Sequence, residues 1–420
     1  MCSQDQVVYV VSRDLVKYAS LLPSNVSRSV LVHTLANAFG LLSRDYSPSQ
    51  PIQLVEPRLA TIEDLSLFHT QDYLDAVLQD PRQTNPEDST DFGLEHDCPR
   101  FFGLPEYVKL VAGATITAAN SLRSGYATTA INWEGGRHHA QKSRASGFCY
   151  VADCVLAILL LKKMMVPATP LTGSLSTSPT QQKQQRVMYL DLDVHFSDGV
   201  ANAFYSPTSS GAKQVLTFSI QHAAPGFFPS SPLAQLPLDP SVPFDPFTLS
   251  LPLLEGASAK TFASIWPHVE RIKNAFNPDY IVIQCGVDGL AGDTKCKVFN
   301  WCLDIAIEGS LGWCVSRIVN EWKGSRKLFL GGGGYHAPNA ARAWSYLTSI
   351  ILKKPLDVSV NIPDDPTTHS AFPLYAPTFT LDVPAGNMTD KNTSDYLAEV
   401  QTRFERVSEI LEGVLRTQQP

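Results

Sequence analysis

No two of the eight cysteines are spaced as Cys-x-x-Cys, and most of them lie in or beside apolar runs. That usage excludes a disulfide framework and reads as reduced, buried thiols of an intracellular protein. No stretch approaches the ~18 uninterrupted apolar residues of a membrane span, so a membrane is not expected as a partner. The opening residues, MCSQDQVVYVVSRD, carry acid on both sides of a short apolar stretch with no basic region before it, which is not a signal-peptide pattern. Basic charge is not in excess either: 33 Lys+Arg against 40 Asp+Glu leave a formal net charge of −7. This argues against direct binding to nucleic acid through phosphate neutralisation, and no basic run of the nuclear-localisation kind is present. With 44 % hydrophobic and 17 % charged residues in 420, a largely disordered chain is excluded.

Short apolar, β-branched runs alternate with longer helical patterns. Strands are expected at Val7–Val11, Thr129–Asn132, Val187–Val194, Val215–Ile220, Tyr280–Cys285 and Lys327–Leu330. Helices are expected at Val108–Leu122, Val151–Lys163, Thr261–Phe276, Leu303–Val319, Asn339–Leu352 and Asp395–Leu411. This alternation predicts an α/β domain with a parallel sheet covered on both faces. Residues 167–185, rich in Pro, Ser, Thr and Gln, read as a mobile surface insertion. Residues 229–246 read as an ordered, irregular loop. The whole of 1–420 is taken as one domain, with 380–420 a packed tail ending in a helix.

In such a fold ligands gather outside the carboxyl ends of the strands, and several polar motifs fall there. Along Val187–His195 one side carries Met188, Leu190, Leu192 and Val194, the other Tyr189, Asp191, Asp193 and His195. Burying that second side without a partner costs several kcal/mol. A divalent cation, zinc or a similar transition metal, would compensate; a polar strand end in a solvated cleft is the alternative. Asp288, in a Gly-flanked turn past another strand, is a turn carboxylate or a third ligand. His138 and His139 after two glycines are an acid/base pair or ordinary loop histidines. Gly331–Gly334 lacks the Gly-Lys-Ser/Thr of a phosphate loop, so close approach of backbone to a ligand fits better, with Gly333 beside the ligand and Tyr335 as a hydroxyl donor. Phe148 and Phe228, flanked by Gly or Pro, are core or channel aromatics.

Asn132-Trp-Glu-Gly-Gly-Arg-His-His-Ala140, Ala145-Ser-Gly-Phe-Cys-Tyr150, Leu190-Asp-Leu-Asp-Val-His195, Pro225-Gly-Phe-Phe-Pro229 and Leu330-Gly-Gly-Gly-Gly-Tyr335 resemble, in order and spacing, motifs of the zinc-dependent histone deacetylases. The likeness covers about residues 5–380 and is nearest to class I, in particular its isozyme-eight subtype. It implies an arginase-like fold with an eight-stranded parallel sheet, and hydrolysis of the acetyl amide of acetyl-lysine in histones or other proteins. It further implies zinc, with ferrous iron an alternative, held by Asp193, His195 and Asp288, and structural potassium held by Asp191, Asp193, His195, Ser219 and Ile220. His139 would be general base and then acid beside His138, with Asp191 and Asp198 orienting the two rings and Tyr335 bonding the oxyanion. Phe148 and Phe228 would wall the lysine tunnel, with Gly147 near its floor, Asp97 at its rim and Arg28 on an acetate channel. A nuclear location, with the cytoplasm as a second one, and a corepressor complex come with the same likeness.

Four departures stand out from that pattern. Arg137 replaces a tryptophan near the acetate route, and Phe196-Ser197 replaces His-Gly before Asp198, which predicts a differently shaped loop. Gly289 replaces a threonine, and Lys295 stands where a Met or Leu lines the tunnel mouth. Two other readings keep much of the same site: an acetylpolyamine or small-amide hydrolase, and a non-catalytic corepressor scaffold.

Overall fold

The computed structural model describes residues 6–83, 91–163, 184–208, 213–365 and 369–417. All but the last two residues of the predicted 167–185 insertion lie outside the described residues. Eight strands form one sheet: β1 (Val7–Val10), β2 (Ile52–Val55), β3 (Thr129–Asn132), β4 (Val187–Asp191), β5 (Val215–His222), β6 (Thr248–Leu253), β7 (Tyr280–Gln284) and β8 (Arg326–Leu330). Their order is β2-β1-β3-β8-β7-β4-β5-β6, and every pairing is parallel. All eight carboxyl ends therefore share one edge.

Both faces are covered, which is why the central strands read as apolar runs. On one face Met188, Leu190, Ile281, Ile283 and Phe329 join a core shared with helices Arg28–Ala38, Ala259–Phe276, Leu311–Asn320, Ala337–Ile351 and Ser394–Arg416. On the other, Val187, Tyr189, Val282, Leu328 and Leu330 pack with helices Arg13–Ala19, Gln71–Val77, Leu104–Arg123 and Asp153–Leu161. The C-terminal helix is seated by Phe404, whose ring stacks on Phe218 of β5 at 5.3 Å. Among the described residues no helix is long and apolar enough to cross a membrane.

The structure corrects several boundaries. Two strands escaped the sequence reading, β2 and β6, and both are sheet edges. β4 stops at Asp191 rather than Val194, because the chain turns where the Asp191 carboxylate accepts the N–H of Asp193. The helix expected from Leu303 begins at Leu311, capped by the Ser310 hydroxyl, which accepts from the N–H of Trp313. Residues 303–310 are turns instead.

The core also braces the carboxyl edge. Trp133 and Trp344 stack at 5.8 Å with nearly parallel rings. Trp344 Nε1 donates to the carbonyl of Cys285, just past β7. The Arg28 guanidinium lies 4.7 Å over the Trp344 ring, and its Nη1 donates to the carbonyls of Gly332 and Gly334. The glycine loop after β8 is thus bolted to a helix and an indole, so its backbone is set before any ligand arrives.

Candidate functional site: a carboxylate–imidazole centre

Five loops converge at the carboxyl edge: those after β3 (His138, His139), β4 (Asp193, His195), β5 (Phe227, Phe228), β7 (Asp288) and β8 (Gly331 to Tyr335). The loop after β3 is held from below by Asp153. That fully buried carboxylate accepts the N–H groups of Gly136 (3.0 Å) and Arg137 (2.7 Å) and the hydroxyl of Thr115 (2.6 Å). It fixes the direction in which the two histidines leave the strand.

Asp191, Asp193 and Asp288 are each 0 % exposed, and the His195 side chain is 12 % exposed. His195 Nδ1 lies 3.1 Å from Asp193 Oδ1 and 3.0 Å from Asp288 Oδ2. One ring nitrogen cannot direct a single proton at both carboxylates, and Asp288 Oδ2 has no hydrogen-bond partner among the described residues. Burial, and then the Asp193 charge, push Asp288 up to about 7. Burial also opposes ionisation of Asp193, but His138, His195 and Gln284 outweigh it and hold that group well below the usual carboxylate range. Two buried carboxylates flanking one imidazole nitrogen, one of them short of a donor, fit a cation held with that imidazole, and this donor set suits zinc or ferrous iron.

Close packing around the pair leaves no room for a side chain. A Cβ on Gly286 would stand 2.1 Å from Asp193 Oδ2, and one on Gly333 2.3 Å from Asp288 Oδ2. In their absence Gly333 N–H donates to Asp193 Oδ2 at 2.8 Å and Gln284 Nε2 to the same oxygen at 3.0 Å. Beneath, Asp191 Oδ2 accepts from the Tyr189 hydroxyl at 2.5 Å and faces His138 Nδ1 at 2.8 Å. Ser219, opposite Asp191 in the β4–β5 register, has a buried hydroxyl with no partner among the described residues, and Ile220 follows it in β5 with its side chain in the core. An unpartnered hydroxyl beside a buried carboxylate suits a second, hard cation such as potassium.

The two histidines are set apart by their neighbours. Their rings lie 4.0 Å apart. Burial works against a charge on His138, but Asp191 and Asp193 override it and raise its pKa to about 9. Burial, reinforced by the charge of His138, lowers His139 to about 4, even though its Nδ1 lies 2.7 Å from Asp198 Oδ1. His139 is therefore a neutral base at pH 7 beside a cationic ring. The replacement of His-Gly by Phe196-Ser197 does not misplace Asp198: Phe196 buries its ring with Ala201 and Ala234, and the carboxylate still reaches His139.

Above this floor, Phe228 meets His139 edge-on at 4.9 Å, and Phe148 meets Tyr335 at 5.5 Å. Gly147, at φ +52°, passes so close that a Cβ would sit 2.4 Å from the His139 ring. Asp97 Oδ2 accepts the Gly147 N–H at 2.7 Å, so it braces the floor loop from the rim. The Tyr335 hydroxyl is held protonated, first by burial and then by the charges of Asp288 and Asp193. Lys295 lies over the Phe148 ring at 4.4 Å. A Cβ on Gly289 would stand 3.2 Å from the Phe299 ring and 3.6 Å from that of Trp301. Behind the glycine loop, Arg28 and Arg137 are both buried; Arg137 donates Nε and Nη2 to the carbonyl of Glu134. Burial, then the Arg137 charge, lower Arg28 to about 10.

The structure also brings in residues that the sequence reading passed over. Gln284 ends an apolar strand, as Asp191 does, so its burial was the available signal. Asp293 accepts the N–H groups of Lys295, Cys296, Tyr335 and His336. Cys296 Sγ approaches His195 Nε2 at 3.6 Å, and among the described residues His195, Asp288 and Cys296 offer ligand atoms all within 4.8 Å of one another.

A family model described as the histone deacetylase domain matches residues 22–351. Histone deacetylase 8 of Xenopus tropicalis is 35 % identical over 399 residues, covering 94 % of this chain and 95 % of that protein. The protein of the same name from Danio rerio is 35 % identical over 402 residues, covering 94 % and 93 %. Histone deacetylase 1 of Homo sapiens is 31 % identical over 386 residues, covering 91 % and 70 %. Matched along most of its length by the family model and by these relatives, the chain belongs to the histone deacetylase family, among the class I members of the histone deacetylase 8 kind.

Proposed function

We propose that this chain, as a lysine-deacetylating hydrolase, works as a zinc enzyme with Asp193, His195 and Asp288 as the metal's protein ligands. The observation that carries the reading is the convergence of one imidazole nitrogen and two buried carboxylates within about 3 Å. Those three residues would hold the metal, and the chemistry supplied there by zinc, or by ferrous iron, would be polarisation of the acetyl carbonyl and a lowered pKa for a water. Asp191, Asp193, His195, Ser219 and Ile220 are the residues that would hold potassium.

The chain's own residues supply the rest. The acetyl-lysine stem runs between Phe148 and Phe228, over Gly147, with its peptide backbone held by Asp97. His139, neutral and oriented by Asp198, takes the proton from the attacking water and returns it to the departing lysine nitrogen. His138 stays cationic against Asp191 and stabilises negative charge as it develops. Tyr335 donates to the oxyanion, a contact of the kind worth about 3–4 kcal/mol in the transition state. Arg28 and Arg137 behind the glycine loop stabilise the acetate as it leaves. Acetylated proteins such as histones, acted on in the nucleus, are the substrate class, and a corepressor complex is the partner. The whole chain serves as one deacetylase domain.

The test is acetate release from a library of acetyl-lysine peptides, with acetylspermidine as competitor. Metal-dependent turnover of peptides with weak competition is expected. Release from acetylspermidine alone, or from neither, contradicts the proposal.

A further inference from the structure

Lys295 is exposed, while the rings beneath it line the inner channel. Its ammonium lies 4.4 Å from the centre of the Phe148 ring and 5.3 Å from that of Tyr335, and those two rings are packed edge to face. Such a placement is attractive because each ring face is negative. The backbone holds the lysine there. Asp293 Oδ1 accepts the N–H groups of Lys295 and Cys296 at 2.9 and 3.0 Å, and Oδ2 accepts that of Tyr335 at 2.6 Å. The Thr294 hydroxyl donates to the Tyr335 carbonyl at 2.9 Å. The loop is thus tied to the same residue that ends the channel.

Among the described residues no carboxylate lies within ion-pair distance of Lys295. A positive charge without a counter-ion therefore stands at the entrance of a chain whose net charge is −7. The facing wall, Phe228, is 42 % exposed and uncharged. We infer that Lys295 is a specificity-determining residue, and that the mouth prefers acetyl-lysine sites flanked by an acidic side chain over sites flanked by a basic one. This rests on the deacetylase reading and narrows its substrate class. A rim charge of this kind steers and discriminates partners rather than adding much affinity. An exposed pair is worth roughly a two- to five-fold preference.

The experiment uses the full-length, metal-loaded protein and pairs of acetyl-lysine peptides that differ only by Asp or Lys beside the acetylated residue, on either side. For the wild type, kcat/KM is expected to favour Asp by about two- to five-fold at low salt, carried mainly by KM. High salt shrinks the ratio. Lys295→Met is expected to level the two peptides, and Lys295→Glu to reverse the order. A side chain that only packed on the two rings would lose rate with both peptides alike and show no reversal. Equal turnover of both peptides by the wild type, or a preference that survives Lys295→Met, overturns the inference while leaving the deacetylase reading intact. Failure to hydrolyse any of the peptides overturns both.

Discussion

The floor and the mouth of the channel are built on opposite plans. On the floor the carboxylates of Asp193 and Asp191 each serve several partners: Asp193 receives Gln284, the N–H of Gly333 and the N–H of His195. Asp191 receives the Tyr189 hydroxyl and the N–H of Asp193 while facing His138. At the mouth Phe228 stands 42 % exposed, and the Lys295 ammonium lies over ring faces with no carboxylate partner among the described residues. Burial makes an unpaired charge costly, so the floor is over-determined. The mouth carries no such constraint and is where relatives can diverge. On the proposed reading, chemistry belongs to the first region and choice of substrate to the second.

The largest effect should come from the floor's hydroxyl donor. Tyr335→Phe is expected to lower kcat by about 10²–10³-fold with little change in thermal stability. Residual activity near wild type would remove Tyr335 from the mechanism. Gly286→Ala comes next, because its methyl would occupy space 2.1 Å from Asp193 Oδ2. We expect a loss of metal affinity of about ten- to a hundred-fold, as for other residues that orient ligands, read by competition with a chromogenic chelator. Gln284→Leu removes a donor to the same oxygen while preserving volume, and should fall toward the lower end of that range, about ten-fold. Unchanged affinity would show that the Gly333 N–H alone fixes Asp193. Smallest is the mouth: Phe228→Ala should raise KM by about ten-fold or less with kcat nearly kept. A kcat collapse there would erase the division between the two regions.

The sequence made the centre of this molecule legible and its margins obscure, for a physical reason. Central strands such as Tyr280–Gln284 are buried on both faces and announce themselves as apolar runs. β2 and β6 are the two edges. β6 carries Pro252, which only an edge strand tolerates, and β2 alternates Ile, Gln, Leu and Val between prolines at 51 and 57. Neither looks like the others. The candidate residues Asp191, Asp193 and His195 stood out because polar residues at the ends of apolar strands are anomalous. Asp153, Asp293 and Cys296 did not, since each takes partners from a distant segment: Asp153 sits in the first turn of a helix and reads as a cap until Gly136 and Arg137 are folded onto it.

The account stands or falls on whether Asp193, His195 and Asp288 share one cation. Elemental analysis of purified wild type and Asp288→Asn, alongside circular dichroism of both, measures this directly. About one equivalent of zinc or iron per chain is expected in the wild type, and very little in the variant, with helical signal retained in both. A folded Asp288→Asn protein that keeps its full metal complement would contradict the claim.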